Sequence, residues 1–172
     1  MSTAFGDTAV ASVDSASVEL IPVRRFGRTG LAMPLLSLGG MRFQQSWSDL
    51  PPQEIEPSSQ DNLRQLLERA VAVGMHHIET ARGYGSSELQ LGSLLAAAPD
   101  PARILQTKVA PAADPERFEA ELRTSVERLA IRQRGDRIAL LSIHGINTAE
   151  LLHHTLRPGG CLDVARRWQA AG

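Results

Sequence analysis

The chain has 172 residues, a formal net charge of −1 at pH 7 and a pI near 6.5. That size allows one domain with a buried core, and the charge balance leaves no basic stripe for nucleic acid or for a membrane surface. A single cysteine, Cys161, excludes an internal disulfide and any metal site built from cysteines alone, and it suits a reducing, cytoplasmic setting.

No apolar run approaches the roughly 20 residues of a membrane span, and the N-terminus lacks the basic-then-apolar order of a secretory signal. Residues 1–21, rich in Ser, Ala, Thr, Asp and Val without a firm period, read as a disordered tail. Val23–Phe26 and Leu31–Met33 bracket Gly27-Arg28-Thr29-Gly30 and predict a hairpin. That glycine pair is no phosphate loop, because neither a Lys-Ser/Thr pair nor a helix follows it. Leu35–Gly40 is a short apolar run ending in two glycines, the pattern of a buried parallel strand. The long loop after it carries Phe43 and Trp47, which either wall a pocket or pin the loop. Ser58 and Asp61 predict a capping-box start for a helix with Leu63, Leu66, Leu67, Ala70 and Val71 on its apolar face. Gly74 suits the positive φ just past that helix.

A second parallel strand is predicted from His76 to Thr80, with His77 and Glu79 on one face and His76, Ile78 and Thr80 on the other. Tyr84 follows on a glycine-bounded loop. Ser86 or Ser87 then predicts the cap of the next helix, with Glu88 in its first turn, where the helix dipole favours an acid. That helix buries Leu91, Leu94 and Leu95 and stops before Pro99. A third strand, Ile104–Val109, sets Ile104, Gln106 and Lys108 on one face. Asp114-Pro115 opens a helix that buries Phe118, Leu122, Val126 and Leu129. The fourth strand, Arg137–His144, puts Ile138, Leu140, Ser142 and His144 together. Thr148–His154 is a short helical turn, and Leu162, Ala165 and Trp168 line a last helix. This β-α rhythm, repeated four times, predicts parallel strands with right-handed crossovers.

Glu79, Lys108 and His144 each close a strand on its expected inward face, and Tyr84 lies just beyond the second strand. Strand C-terminal ends are where α/β enzymes keep their chemistry. Composition points to the same residues. Of the eighteen basic residues only Lys108 is not arginine, and Tyr84 is the only tyrosine. A compact ammonium can shift its pKa and a guanidinium cannot, so the lone lysine marks a place where arginine would not serve; survival by chance in an arginine-biased composition is the bland alternative. Taken singly, a strand-end glutamate is more often a solvated acid and a strand histidine more often a structural one. His76, His77, His153 and His154 are read that way, since adjacent pairs lack metal spacing.

The stretch Gly74–Gly92, G-M-H-H-I-E-T-A-R-G-Y-G-S-S-E-L-Q-L-G, resembles the aldo-keto reductase signature through Gly74, Thr80, Ala81, Tyr84, Gly85, Ser87, Glu88, Leu91 and Gly92. Glu79 stands where the family has aspartate. The 23–34 hairpin, Leu105–Val109 and Asp136–His144 are similar to the family's barrel-closing hairpin and to its third and fourth strand segments. The resemblance implies an α/β fold, a partial TIM (β/α)8 barrel of about four βα units preceded by a short N-terminal β-hairpin. It implies NAD(P)H-dependent reduction of aldehydes and ketones to alcohols, with a small carbonyl substrate and NADP(H) as cofactor. Glu79, Tyr84, Lys108 and His144 match the catalytic tetrad, and Gly40, Met41, Arg42 and Glu79 are implied on the cofactor side. No metal is implied.

The chemistry needs these residue types. Hydride delivered to a carbonyl carbon leaves an oxygen that must receive a proton. A phenol, with an unperturbed pKa of about 10, is a reluctant donor at neutral pH. An ammonium ~4 Å away favours phenolate by about 4 kcal/mol at an effective dielectric of ~20, which brings proton transfer nearer the working pH. A carboxylate holds the ammonium in place, and an imidazole hydrogen-bonds the carbonyl and orients it.

A complete (β/α)8 barrel takes about 250 residues. The expectation is therefore an N-terminal half barrel over residues 22–172, truncated before strand five and inactive as an isolated fragment. In the family the late strands supply most cofactor contacts. Exposed strand edges would then favour self-association closing two halves into one barrel. Two other readings stay open: a catalytically silent relative used as a binding or regulatory subunit, and an unrelated doubly wound α/β domain. Strand order discriminates the last, since a half barrel keeps its strands in the order one to four.

Overall fold

The computed structural model describes residues 20–172 except 98, 99, 101 and 136. The predicted tail up to residue 19, the helix stop at Pro99 and Asp136 of the fourth-strand motif lie outside the described residues. Ile21, at the end of the stretch read as tail, donates its N–H to the Val73 carbonyl at 2.9 Å.

Strands β1 (Val23–Arg25) and β2 (Ala32–Pro34) form the expected antiparallel hairpin. Four parallel strands follow in one sheet: β3 (Leu38–Gly39), β4 (His77–Glu79), β5 (Ile104–Val109) and β6 (Leu140–Ile143), ordered β3-β4-β5-β6. Sequential order with parallel pairing is that of consecutive barrel strands, and it removes the doubly wound reading, whose sheet reverses order. Helices α1 (Pro57–Ala72), α2 (Ser87–Ala97), α3 (Pro115–Arg128), α4 (Ile131–Arg134), α5 (Ala149–Leu156) and α6 (Cys161–Ala171) complete the chain.

The outward face of the sheet carries Ile78, Leu105 and Val109, and the helices cover it. Ile78 and Leu105 pack with Leu63, Leu67, Leu91, Leu95 and Leu129, while Val109 joins Phe118, Leu122, Cys161 and Val164. The inward face carries the polar alternates, and this asymmetry brings the functional side chains together.

Several expectations need correction. The first parallel strand keeps only two residues, and Leu35 and Leu36 are each 57% exposed instead of buried. Pairing with β4 begins at Leu38, and the chain turns into a 3-10 helix at Gly40, so the apolar run is mostly approach to the sheet. Helix α1 starts at Pro57 after Glu56, with no side-chain cap, so Ser58 caps nothing; proline at the first position supplies the preset φ instead. The turn at Thr148 is a full helix, its hydroxyl accepting the Leu151 N–H at 3.2 Å. Helix α6 buries Cys161 and Val164 beside the half-buried Trp168. Asp114 does cap α3, accepting the Glu116 N–H at 2.9 Å, and Gly74 has the expected positive φ of 80°.

Gly92 lies where α2 meets the end of α3. A Cβ there would sit 2.1 Å from the Arg128 carbonyl oxygen and 2.8 Å from Leu129 Cα. Gly92→Ala is expected to destabilise the fold by about 2 kcal/mol or more through overpacking against backbone, measured by urea unfolding. A midpoint unchanged from the parent would contradict this close packing.

Candidate active site

Parallel register brings the four candidate side chains together. Glu79 pairs with Gln106, and Lys108 with Ser142. The pairing continues past β4 and β6: Thr80, Arg82 and His144 donate their N–H groups to the carbonyls of Gln106, Lys108 and Val109 at 2.9, 2.8 and 2.8 Å. The loop bearing Tyr84 thus rises directly beside Lys108.

Lys108 Nζ donates to Tyr84 Oη at 2.8 Å and forms an ion pair with Glu79 Oε1. The same ammonium lies 4.6 Å from the centroid of the Tyr84 ring, and His144 meets that ring edge-on at 5.7 Å between centroids. All four residues are half-buried. Burial pushes the Lys108 ammonium below the ordinary lysine pKa. Burial, and then the Lys108 charge, hold His144 below the ordinary imidazole value, so at neutral pH it is a neutral ring with one N–H to give.

Met41 and Arg42, implied on the cofactor side, are exposed on the 3-10 turn beyond β3, and Gly40 is buried beneath them. Glu79 Oε2, the oxygen not facing Lys108, lies beside Gly39, where a Cβ would stand 3.9 Å away. A carboxylate oxygen left open in this way suits a ribose hydroxyl. Of the two loop aromatics, Phe43 is a core residue and Trp47, 61% exposed, lines a groove. The groove, about 720 Å³, runs from His144 between Val109, Pro111, Phe118 and Leu151.

The Tyr84 loop is clamped by Ser86 and Ser87, whose place at the start of α2 predicts helix caps. Ser86 Oγ accepts the Gln45 and Ser46 N–H groups at 3.0 and 3.2 Å and donates to Gln90 Oε1 at 2.8 Å. Ser87 Oγ donates to the Gly40 carbonyl at 3.0 Å. Gly85, at φ +53°, lies so close to the same loop that a Cβ would stand 2.0 Å from the Ser46 carbonyl oxygen. Glu88, in the first turn of α2 as expected, is fully buried and accepts the Thr107 hydroxyl at 2.6 Å, and burial raises its pKa. Arg82 clasps Asp49 in a two-pronged ion pair and reaches Glu121 at 2.8 Å. A serine before a helix looks like a cap because capping is local, whereas burial under a distant loop leaves no local mark.

Tyr84, Lys108, Glu79 and His144 thus meet at the C-terminal ends of consecutive parallel strands. The chain belongs to the aldo/keto reductase family, whose model matches residues 35–156. This is a family of oxidoreductases that generally use NAD(P)H. A protein of Pseudomonas aeruginosa assigned to the aldo-keto reductases is 26% identical, with a TM-score of 0.70 over 91% of this chain and 61% of its own. A second such structure from that organism gives 26% identity and a TM-score of 0.68 over 90% and 59%. A thermostable aldo-keto reductase in complex with the inhibitor epalrestat, 22% identical, shares the fold at a TM-score of 0.58 over 80% and 50%. The chain therefore spans about 61% of the length of the first of these structures. No curated protein matches it significantly in sequence. Among the described residues no helix is long and apolar enough to cross a membrane.

Burial also holds His77 below the ordinary imidazole pKa of 6.5. Folded values of His77 and His144 below the unfolded one mean that the unfolded chain binds more protons as pH falls through about 6.5. Their contribution is thus complete above that pH and lost below it. The melting temperature is expected to fall from pH 7.5 to 5.5, and His77→Gln to flatten that fall; an unchanged slope in the variant would refute the neutral buried state.

Proposed function

We propose that this chain carries the proton-transfer half of an NAD(P)H-dependent reductase that converts aldehydes or ketones to alcohols. The observation that carries the reading is the Lys108 Nζ to Tyr84 Oη hydrogen bond of 2.8 Å, with Glu79 on the same ammonium. Tyr84 is the proton donor to the carbonyl oxygen. The Lys108 ammonium stabilises the phenolate that forms and keeps its own protons. Glu79 fixes the ammonium through Oε1 and leaves Oε2 for a ribose hydroxyl. His144, neutral and edge-on to the phenol, directs its N–H toward the carbonyl and sets which face is presented.

The cofactor we infer is NADP(H), which when bound supplies hydride to the carbonyl carbon. Gly40, Met41, Arg42 and Glu79 form the part of its site that these strands provide. The protein is read as cytoplasmic, in keeping with its single, buried, reduced Cys161. Turnover is assigned to the closed barrel. The four-stranded unit alone is expected to be inactive, and self-association through the outer edges of β3 and β6 is the expected means of closure.

NADPH consumption with a panel of aldehydes and ketones, followed across concentrations where association is tracked by sedimentation, tests this. Activity should rise with the associated species, and Tyr84→Phe should lower kcat by about 10²–10⁴-fold while NADPH binding persists. Associated protein that consumes no NADPH with any carbonyl, or a variant as active as its parent, would overturn the reading.

A further inference from the structure

A second polar layer lies under the first. Ser37 Oγ and His77 Nδ1 are 2.6 Å apart, His77 Nε2 and Gln106 Oε1 2.9 Å, and Gln106 Nε2 and Ser142 Oγ 2.8 Å. The directions follow from the atoms. Gln106 Oε1 can only accept, so His77 carries its proton on Nε2, Nδ1 accepts the Ser37 hydroxyl, and the Gln106 amide donates onward to Ser142. One unbroken chain of hydrogen bonds thus crosses the sheet from the approach to β3 through β4 and β5 to β6.

Its members stand in register with the residues above them. His77, Gln106 and Ser142 are each two residues before Glu79, Lys108 and His144, the last lying one residue past β6 where the pairing continues, and alternation puts each pair on the same face. Strand alternation alone would permit apolar residues at all three positions. In place of them, three side chains hold one another sideways and make a floor beneath the ammonium, carboxylate and imidazole.

We propose that His77, Gln106 and Ser142 are positioning residues, a neutral hydrogen-bonded floor that fixes the lateral spacing of β4, β5 and β6 and so the placement of Lys108 between Glu79 and Tyr84. The role as positioning residues rests on the proposed reductase activity; the coupling to Lys108 does not. The floor carries no charge, since its only titratable member is His77, neutral by its tautomer and by its burial. Among the described residues Lys108 accordingly has one counter-charge, Glu79, and is not drawn downward. A broken floor leaves His77 Nε2–H and Ser142 Oγ without partners, and such groups draw in water.

Lys108 is the only lysine of the chain, so isotopically labelled lysine gives a single side-chain resonance that reports this site without any turnover. In the 172-residue protein, Gln106→Met keeps the volume and removes both hydrogen bonds, and Ser142→Ala removes one. Both should move the Lys108 titration midpoint upward, toward the ordinary lysine value, as water reaches the ammonium; the shift should be larger for Gln106→Met. Ser142→Thr, which keeps the hydroxyl, should restore the parental midpoint. Where turnover is measurable, kcat should fall by about 10- to 100-fold with KM unchanged. Ser142→Ala is the milder change should Gln106→Met fail to fold. An unaltered Lys108 midpoint in a folded Ser142→Ala protein overturns the proposal, whatever its activity. A shifted midpoint upholds the floor whether or not carbonyls are turned over, and associated protein that shows the shift yet consumes no NADPH refutes the reductase reading instead.

Discussion

One ammonium between an acid and a phenol is the constraint that the rest of the structure serves. Lys108 is drawn out of water by burial, which weakens its charged form, and the ion pair with Glu79 offsets only part of that cost. Neither partner is useful alone. A buried ammonium without the carboxylate would shed its proton more readily, and a carboxylate there without the ammonium would be an unpaired charge at the mouth of the barrel. The fold must therefore bring an acid and an ammonium together from two strands and set that ammonium against a phenol carried on a loop.

Delivery depends on how firmly that loop is held. The backbone continues β4's pairing to Arg82, whose N–H reaches the Lys108 carbonyl, and Tyr84 is two residues further on. Beyond it, Ser86, Ser87 and Gln90 point inward to fasten the chain around Gly40 and Gln45–Ser46, and Arg82 bridges Asp49 and Glu121. Buried hydroxyls and amides of this kind are costly unless every one is partnered. Their density between Thr80 and Gln90 is understandable as the means by which a loop residue acquires the positional certainty of a strand residue.

The parts of this arrangement legible in the sequence were those written as local pattern. Period-two alternation placed Glu79, Lys108 and His144 on one face, the Asp114-Pro115 pair marked the start of α3, and Gly74 marked a positive φ. What stayed hidden was tertiary. Leu35 and Leu36 look like strand interior because apolar runs usually are. The short α4 opens from Ala130 at φ 52° and is too brief to show a period. Glu88 follows two serines at a helix start, a setting that marks a first-turn acid and says nothing of burial; only the arrival of Thr107 from β5 and the bulk of α3 reveal it as buried. The link from His77 to Gln106 to Ser142 was invisible for a similar reason, since each residue reads as an ordinary polar alternate until the strands are set side by side.

Glu79 in place of an aspartate is a question of reach and room. In the β4–β5 register Glu79 stands opposite Gln106, and Lys108 lies two residues ahead, about 6.6 Å further along at the usual rise per residue. Glu79 must therefore lean forward to meet the ammonium, and its extra methylene lengthens that reach. Room comes from the opposite side, where Gly39 has no side chain beside Oε2 and a Cβ would already be in van der Waals contact at 3.9 Å. The glycine that ends β3 thus leaves the longer acid that ends β4 free of a side-chain neighbour on that side.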